Sequence, residues 1–211
     1  MGRVADEARR RRVGIFGGTF DPPHDGHVSV ARDVADALGL DEVLWIPVGS
    51  PPHKTGVALT PPSLRLEMTR AAAATDPRFR VSEIELRRSG PSYTVDTLRQ
   101  LSADDAMADA ELFLIMGYDQ YRDFGSWRSP DEIRGLATLA VVDRGGESLP
   151  RPGAGRSNDD AEAGGIVRVQ VRRVDVSSTD IRARAARGED VSDLVPSAVG
   201  RLIAGGRLYR S

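Results

Sequence analysis

The sequence predicts a single α/β domain built on a doubly wound parallel sheet, and three observations carry that expectation. Short apolar runs alternate with helical patterns along most of the chain. Three of those runs stop in turns of small or hydroxyl-bearing residues, Gly17-Gly18-Thr19, Gly117 to Asp119 and Ser177-Ser178-Thr179, each ahead of a helical pattern. No internal repeat and no second domain is evident within the 211 residues. In such sheets ligands bind beyond the carboxyl ends of the strands, where the strand order reverses. The three turns are therefore expected to converge on one crevice.

Residues 1–11 are charged and Arg-rich without clear periodicity, and read as a disordered extension ahead of a domain over 12–211. A buried strand is expected over 12–16. Val28, Ala31, Val34, Ala35 and Leu38 then recur at helical spacing until Gly39 ends the helix. A second strand over 43–48 is closed by Pro47 and Gly49, and the Pro- and Gly-rich residues 49–62 read as a loop. Ser63 is expected to cap a helix running to residue 75, with Leu64, Met68 and Ala71 on one face. Alternation of Val81, Ile84 and Leu86 predicts a strand over 79–86, followed by a short helix over 93–101. The apolar run 112–116 ends at Gly117, with Asp119 placed to cap the next element. Strands over 138–142 and 166–171 flank residues 145–165, whose Gly, Pro and Asp content predicts a flexible loop. Helices over 178–187 and 196–204 complete the pattern.

Composition excludes several classes of function. A formal net charge of -2 argues against a broad nucleic-acid surface, so any phosphate site must be local. The absence of cysteine removes disulfides, thiolate metal sites and a Cys nucleophile. No apolar run is long enough to span a membrane, and no signal-peptide core is present, so a cytoplasmic protein is expected. All three histidines, His24, His27 and His53, fall early in the chain, and Lys54 is the only lysine. Either Lys54 reflects chance in an Arg-biased composition, or its position requires a compact ammonium.

Residues 17–27, GGTFDPPHDGH, carry the strongest chemical signal. A strand that ends in glycines and re-enters as a helix gathers backbone N–H groups and a positive dipole end at one spot, which is an anion site. His24 and His27 add donors there that can be neutral or cationic near neutral pH. Histidines spaced in this way also occur as surface patches or partial metal sites, but zinc would require further ligands at definite spacing, and metal ligation ranks well below phosphate contact. Neither GxGxxG nor a P-loop is present, which weakens a dehydrogenase or P-loop ATPase reading. The second signal is Ser177-Ser178-Thr179-Asp180-Ile181-Arg182. Its hydroxyls can simply cap a helix. Arg182, one turn in, is also placed to grip an anion held at that same N-terminus.

Together, GGTFDPPHDGH and SSTDIR resemble the HxGH nucleotidyltransferase superfamily, a Rossmann-like fold of nucleotidyltransferase type, and within it the bacterial nicotinate-nucleotide adenylyltransferase family. Secondary matches are Pro51-Pro52-His53-Lys54, Pro91-Ser92-Tyr93-Thr94, Gly117-Tyr118-Asp119, Phe124 with Trp127, Val142 with Arg144, and the ending Gly205 to Arg210. The resemblance implies adenylyl transfer from ATP to nicotinate mononucleotide, with pyrophosphate released, as a step of NAD biosynthesis. It implies that His24 and His27 contact the ATP phosphates and stabilise the transition state. Arg182 with Ser178 and Thr179 would hold the β and γ phosphates, and Lys54 would add a cation from a closing loop. Gly17, Gly18, Thr19 and Phe20 would line the ATP site, with Gly117 and Asp119 at the adenosine. On the acceptor side it implies Thr94 near the pyridine carboxylate, Trp127 stacked on the pyridine, and Arg128 and Arg144 as further contacts. Arg128 stands where some relatives carry Tyr, and Asp143 where similar proteins carry a base, so only Arg144 is carried over there. Trp127 also fits a half-buried core aromatic. No protein-held metal site is expected; Mg²⁺ would be held mainly by the triphosphate.

Two alternatives compete with this reading. One is a superfamily member with another phosphorylated acceptor such as phosphopantetheine. The other is a non-catalytic nucleotide-binding module, against which the retention of both His24 and His27 argues. Monomer and homodimer are equally compatible with the sequence.

Overall fold

The computed structural model describes residues 9–51, 59–143 and 165–210. Six parallel strands form one sheet in the order β3-β2-β1-β4-β5-β6. They are β1 (Arg12–Gly18), β2 (Glu42–Pro47), β3 (Phe79–Val81), β4 (Glu111–Gly117), β5 (Thr138–Asp143) and β6 (Ile166–Gln170). The helices are α1 (Asp25–Leu38), α2 (Pro62–Ala73), α3 (Thr94–Ser102), α4 (Tyr118–Arg122), α5 (Pro130–Leu136), α6 (Ser178–Ala186) and α7 (Ser197–Gly205). The strand order reverses between β1 and β4, which is the doubly wound arrangement with its switch point at the sheet centre.

Strand alternation explains why both faces are covered. Val13 and Ile15 of β1, with Leu112, Leu114 and Met116 of β4, face a cluster closed by α3 and α5. Phe16, Trp45, Phe113 and Ile115 point the other way, into a cluster closed by α1, α2, α6 and α7. At the switch point the two central strands part: β1 pairs with β4 only as far as Ile15 and Leu114, although the strands run on to Gly18 and Gly117. Each end stays paired to its outer neighbour, β2 or β5, and the gap between them opens a crevice at the carboxyl edge. Gly39 ends α1 in the left-handed conformation at φ 57°.

Three local expectations are corrected. The strand expected over 79–86 stops at Val81, because β2 ends at Pro47 and the residues beyond Val81 instead form turn bonds, Arg87 N–H to the Glu83 carbonyl among them. Helix α2 starts at Pro62 after Pro61, so Ser63 lies inside its first turn and is not its cap. Its buried side is Arg65, Met68, Thr69, Ala72 and Ala73, rotated from the Leu64-Met68-Ala71 stripe. Helix α5 is an element that the sequence pattern does not predict. Ahead of β1, Arg9 pairs with Asp41 and Arg11 with Glu42. Among the described residues no helix is long and apolar enough to cross a membrane.

Candidate active site

The turn after β1 is shaped by two close approaches. A Cβ on Gly18 would lie 2.8 Å from the Phe20 ring, and one on Gly26 would lie 3.0 Å from Nδ1 of His24. Glycine at 18 lets the Phe20 ring fold back beneath the turn, where it is buried against Phe16 and Trp45. Glycine at 26 leaves room for the His24 ring to lie over the first turn of α1. Phe20 adopts φ 48°, and the Asp21–Pro22 peptide is cis.

His24 is the residue that caps α1. Its backbone N–H donates to Nδ1 of His27 at 3.2 Å, which assigns that nitrogen as an acceptor and puts the ring proton on Nε2. The two imidazoles lie 3.7 Å apart, tilted by 35°. Phe20 meets the His27 ring edge-on at 5.2 Å and Phe16 lies 6.1 Å from it, so His27 rests on an aromatic floor. The floor is apolar and covers one side of the His27 ring.

The second motif arrives at the same loop. Ser177 caps α6 by accepting from the Asp180 N–H at 3.1 Å. The Ser178 hydroxyl donates to the Pro22 carbonyl at 2.9 Å, and Nη1 of Arg182 donates to the Asp21 carbonyl at 2.7 Å. Nη2 of Arg182 reaches the Thr179 hydroxyl at 3.2 Å. Two segments about 160 residues apart in sequence thus meet side by side (Ser178–Pro22 and Arg182–Asp21), with a helix N-terminus on each.

Across the crevice, Gly117 ends β4 and begins α4, its N–H donating to Oε1 of Gln120 at 3.1 Å. Asp119 lies in the first turn of α4 and is not its cap; its carboxylate is exposed. Of the residues expected on the acceptor side, Thr94 opens α3 and Arg128 packs against the same helix start. Ser92 and Ser50 bond to each other through both backbone and hydroxyl, which holds Thr94 beside the carboxyl end of β2. The Arg128 guanidinium lies 4.7 Å from the centre of the Tyr93 ring and 3.9 Å from Asp96. Trp127 is half-buried and packs on Phe124 at 5.5 Å. Beneath this corner Glu85 accepts from the Thr97 hydroxyl at 2.8 Å, and burial pushes its pKa up. Lys54 and Arg144 lie outside the described residues. Among the described residues no three His, Cys, Asp or Glu side chains come together as a metal site.

Comparison with known proteins gives the family. The cytidylyltransferase-like family model matches residues 15–184. A protein of Corynebacterium kroppenstedtii, named as a probable nicotinate-nucleotide adenylyltransferase, is 42% identical over 94% of this chain and 90% of its own. One of Thermus thermophilus with the same name is 44% identical over 94% of this chain and all of its own. The chain belongs to this nicotinate-nucleotide adenylyltransferase family. Its fold agrees with the solved Plasmodium falciparum nicotinic acid mononucleotide adenylyltransferase complexed with NaAD, at a TM-score of 0.73 and 16% identity, covering 94% of this chain and 97% of that one.

Three residues that tie the turn after β1 to its surroundings escape sequence reasoning. Arg65, 1% exposed, donates to the carbonyls of Thr19, Val48 and Thr60 at 3.0, 2.8 and 3.1 Å. It therefore ties the turn after β1 to the loop after β2. Asp21, also enclosed, accepts from the Thr60 N–H at 3.1 Å and the Tyr209 hydroxyl at 2.8 Å. Only the hydroxyl and carboxyl side chains could have hinted at this, because the other partners are backbone groups with no sequence signature.

Proposed function

We infer that this chain transfers the adenylyl group of ATP to the phosphate of nicotinate mononucleotide, giving nicotinate adenine dinucleotide and pyrophosphate. The observation that carries this reading is the meeting of the His24–His27 pair and the Ser178–Arg182 helix start on one loop at the switch point. An oxygen of the acceptor phosphate attacks the α-phosphorus, and the bond to the oxygen bridging to the β-phosphate breaks. Two polyanions must be held in line while negative charge moves onto the leaving group. Positioning and cationic or N–H donors answer that need, and no covalent intermediate is required.

In this reading His27 directs its Nε2–H at the phosphates, with His24 beside it. The backbone of Gly17, Gly18, Thr19 and Phe20 lines the triphosphate; Phe20 contributes through its main chain because its ring is buried. Arg182, Ser178 and Thr179 take the β and γ phosphates, and Lys54 is a further cation over them. Gly117 and Asp119 meet the adenosine, with the exposed carboxylate accepting from a ribose hydroxyl. Thr94, Trp127, Arg128 and Arg144 receive the acceptor, and the Arg128 cation favours a pyridine carboxylate over an amide. Mg²⁺, where bound, would be held mainly by the triphosphate and would lower its charge repulsion toward the incoming phosphate.

The test is pyrophosphate release from Mg-ATP with a panel of acceptors, using wild type and His27→Ala. Release with nicotinate mononucleotide, reduced by roughly two orders of magnitude in the variant without loss of melting temperature, is expected. Turnover only with another acceptor such as phosphopantetheine, or undiminished turnover in the variant, overturns the reading.

A further inference from the structure

The loop that carries His24 is held by contacts that the chemistry above does not use. Asp21, three residues before His24, is 3% exposed, and a carboxylate so enclosed is stable only when its oxygens are matched by donors and a nearby cation. Thr60 N–H supplies one oxygen at 3.1 Å and the Tyr209 hydroxyl the other at 2.8 Å. Arg65 supplies the nearby charge, while its own N–H groups are spent on the carbonyls of Thr19, Val48 and Thr60. The Asp21 carbonyl is taken by Arg182. One residue of the loop is therefore fastened from three separate stretches of chain, around residues 60–65, 182 and 209.

Tyr209 is itself held firmly in place. It sits at φ 67°, a conformation L-residues rarely adopt, half-buried against the cluster around α1, α2 and α7. Its hydroxyl also lies 3.9 Å from Sδ of Met68. Burial and the adjacent Asp21 carboxylate push its pKa far above the usual phenol value, so the hydroxyl remains a donor at every working pH.

We propose that Tyr209 is a positioning residue for the histidine pair, acting through Asp21 to set the loop from which His24 and His27 reach the phosphates. This rests on the adenylyl-transfer reading only in that the pair contacts the reacting phosphates. Removal of the hydroxyl leaves an enclosed carboxylate oxygen without its donor, and the loop relaxes by a fraction of an ångström. Reaction geometry is sensitive at that scale, while ground-state binding is not.

The experiment is a double-mutant cycle on the full chain with Tyr209→Phe, His27→Ala and the pair, read as kcat, KM for ATP and acceptor, and melting temperature. Tyr209→Phe is expected to lower kcat about tenfold with both KM values within about twofold. In the His27→Ala background the same change is expected to cost clearly less than in the wild type, because one of the two groups it positions is gone. An unchanged kcat, a rise in KM alone, or an equal loss in both backgrounds overturns the proposal. Imidazole ¹⁵N spectra give a readout that does not depend on turnover, since the chain has three histidines. The His24 and His27 signals are expected to shift in Tyr209→Phe, and unshifted signals overturn the proposal. Should Tyr209→Phe fail to fold, Asp21→Asn, of equal size, is measured in the same way, and the same results support or overturn the proposal. The kinetics use whichever acceptor the wild type adenylates, so a wrong acceptor assignment overturns the function and leaves this inference to be judged separately.

Discussion

At the scale of single residues, the site depends on what is missing as much as on what is present. Gly26 lies between the two histidines, and a Cβ there would sit 3.0 Å from Nδ1 of His24 and 3.1 Å from Cγ1 of Val176. The ring would have to yield, since the helix backbone will not. Alanine is otherwise the better helix former by up to about 1 kcal/mol. Gly26→Ala is therefore expected to keep or raise the melting temperature while lowering kcat about tenfold, a split visible in paired calorimetry and initial-rate assays. A parallel loss of stability and activity would show that the glycine serves the helix and not the ring.

Among the elements, the ends of α2 and β3 are tied to α1 by charge. Asp76, buried, accepts from Arg78 at 2.9 Å and from Arg32 at 3.4 Å, and Arg78 continues to Asp36. These partners, Arg78 foremost, hold the Asp76 carboxyl at a pKa of about 2 against an ordinary 3.8. A depressed carboxylate stabilises the fold above its unfolded pKa, and that contribution fades as the pH falls from about 4 through 2. Asp76→Asn is expected to cost about 2 kcal/mol at pH 7 and to flatten the acid limb of stability, as measured by urea unfolding at pH 7 and pH 3. Much at this scale is legible in the sequence. The amphipathic run to Gly39 and the strand ending at Gly117 follow from periodicity and glycine alone. Helix α5 is not legible, although Ser129-Pro130-Asp131-Glu132 is a helix-start composition, because seven residues give too little periodicity. The buried face of α2 is hidden because Arg65 reads as a solvent residue, and only the carbonyls it meets make it a buried one.

For the whole molecule, the two motifs proposed to hold the phosphates can be picked out from sequence because anion binding demands particular residue types in short windows, and the structure brings them together on one loop. How that loop is held cannot be picked out, since Arg65, Asp21 and Tyr209 act across distances that no local pattern encodes. The two tryptophans divide between the histidine loop and the proposed acceptor corner in a way that makes the chain its own optical reporter. Trp45 is fully enclosed beside Phe20, under the histidine pair, whereas Trp127 is half-buried at the corner assigned to the acceptor. Emission from Trp45 is expected to resist acrylamide and to ignore added nicotinate mononucleotide. Emission from Trp127 is expected to be quenched by both, and Trp127→Phe to abolish the acceptor-dependent part. A titration followed in the fluorimeter thus reads pyridine stacking against a built-in internal standard, with no label attached.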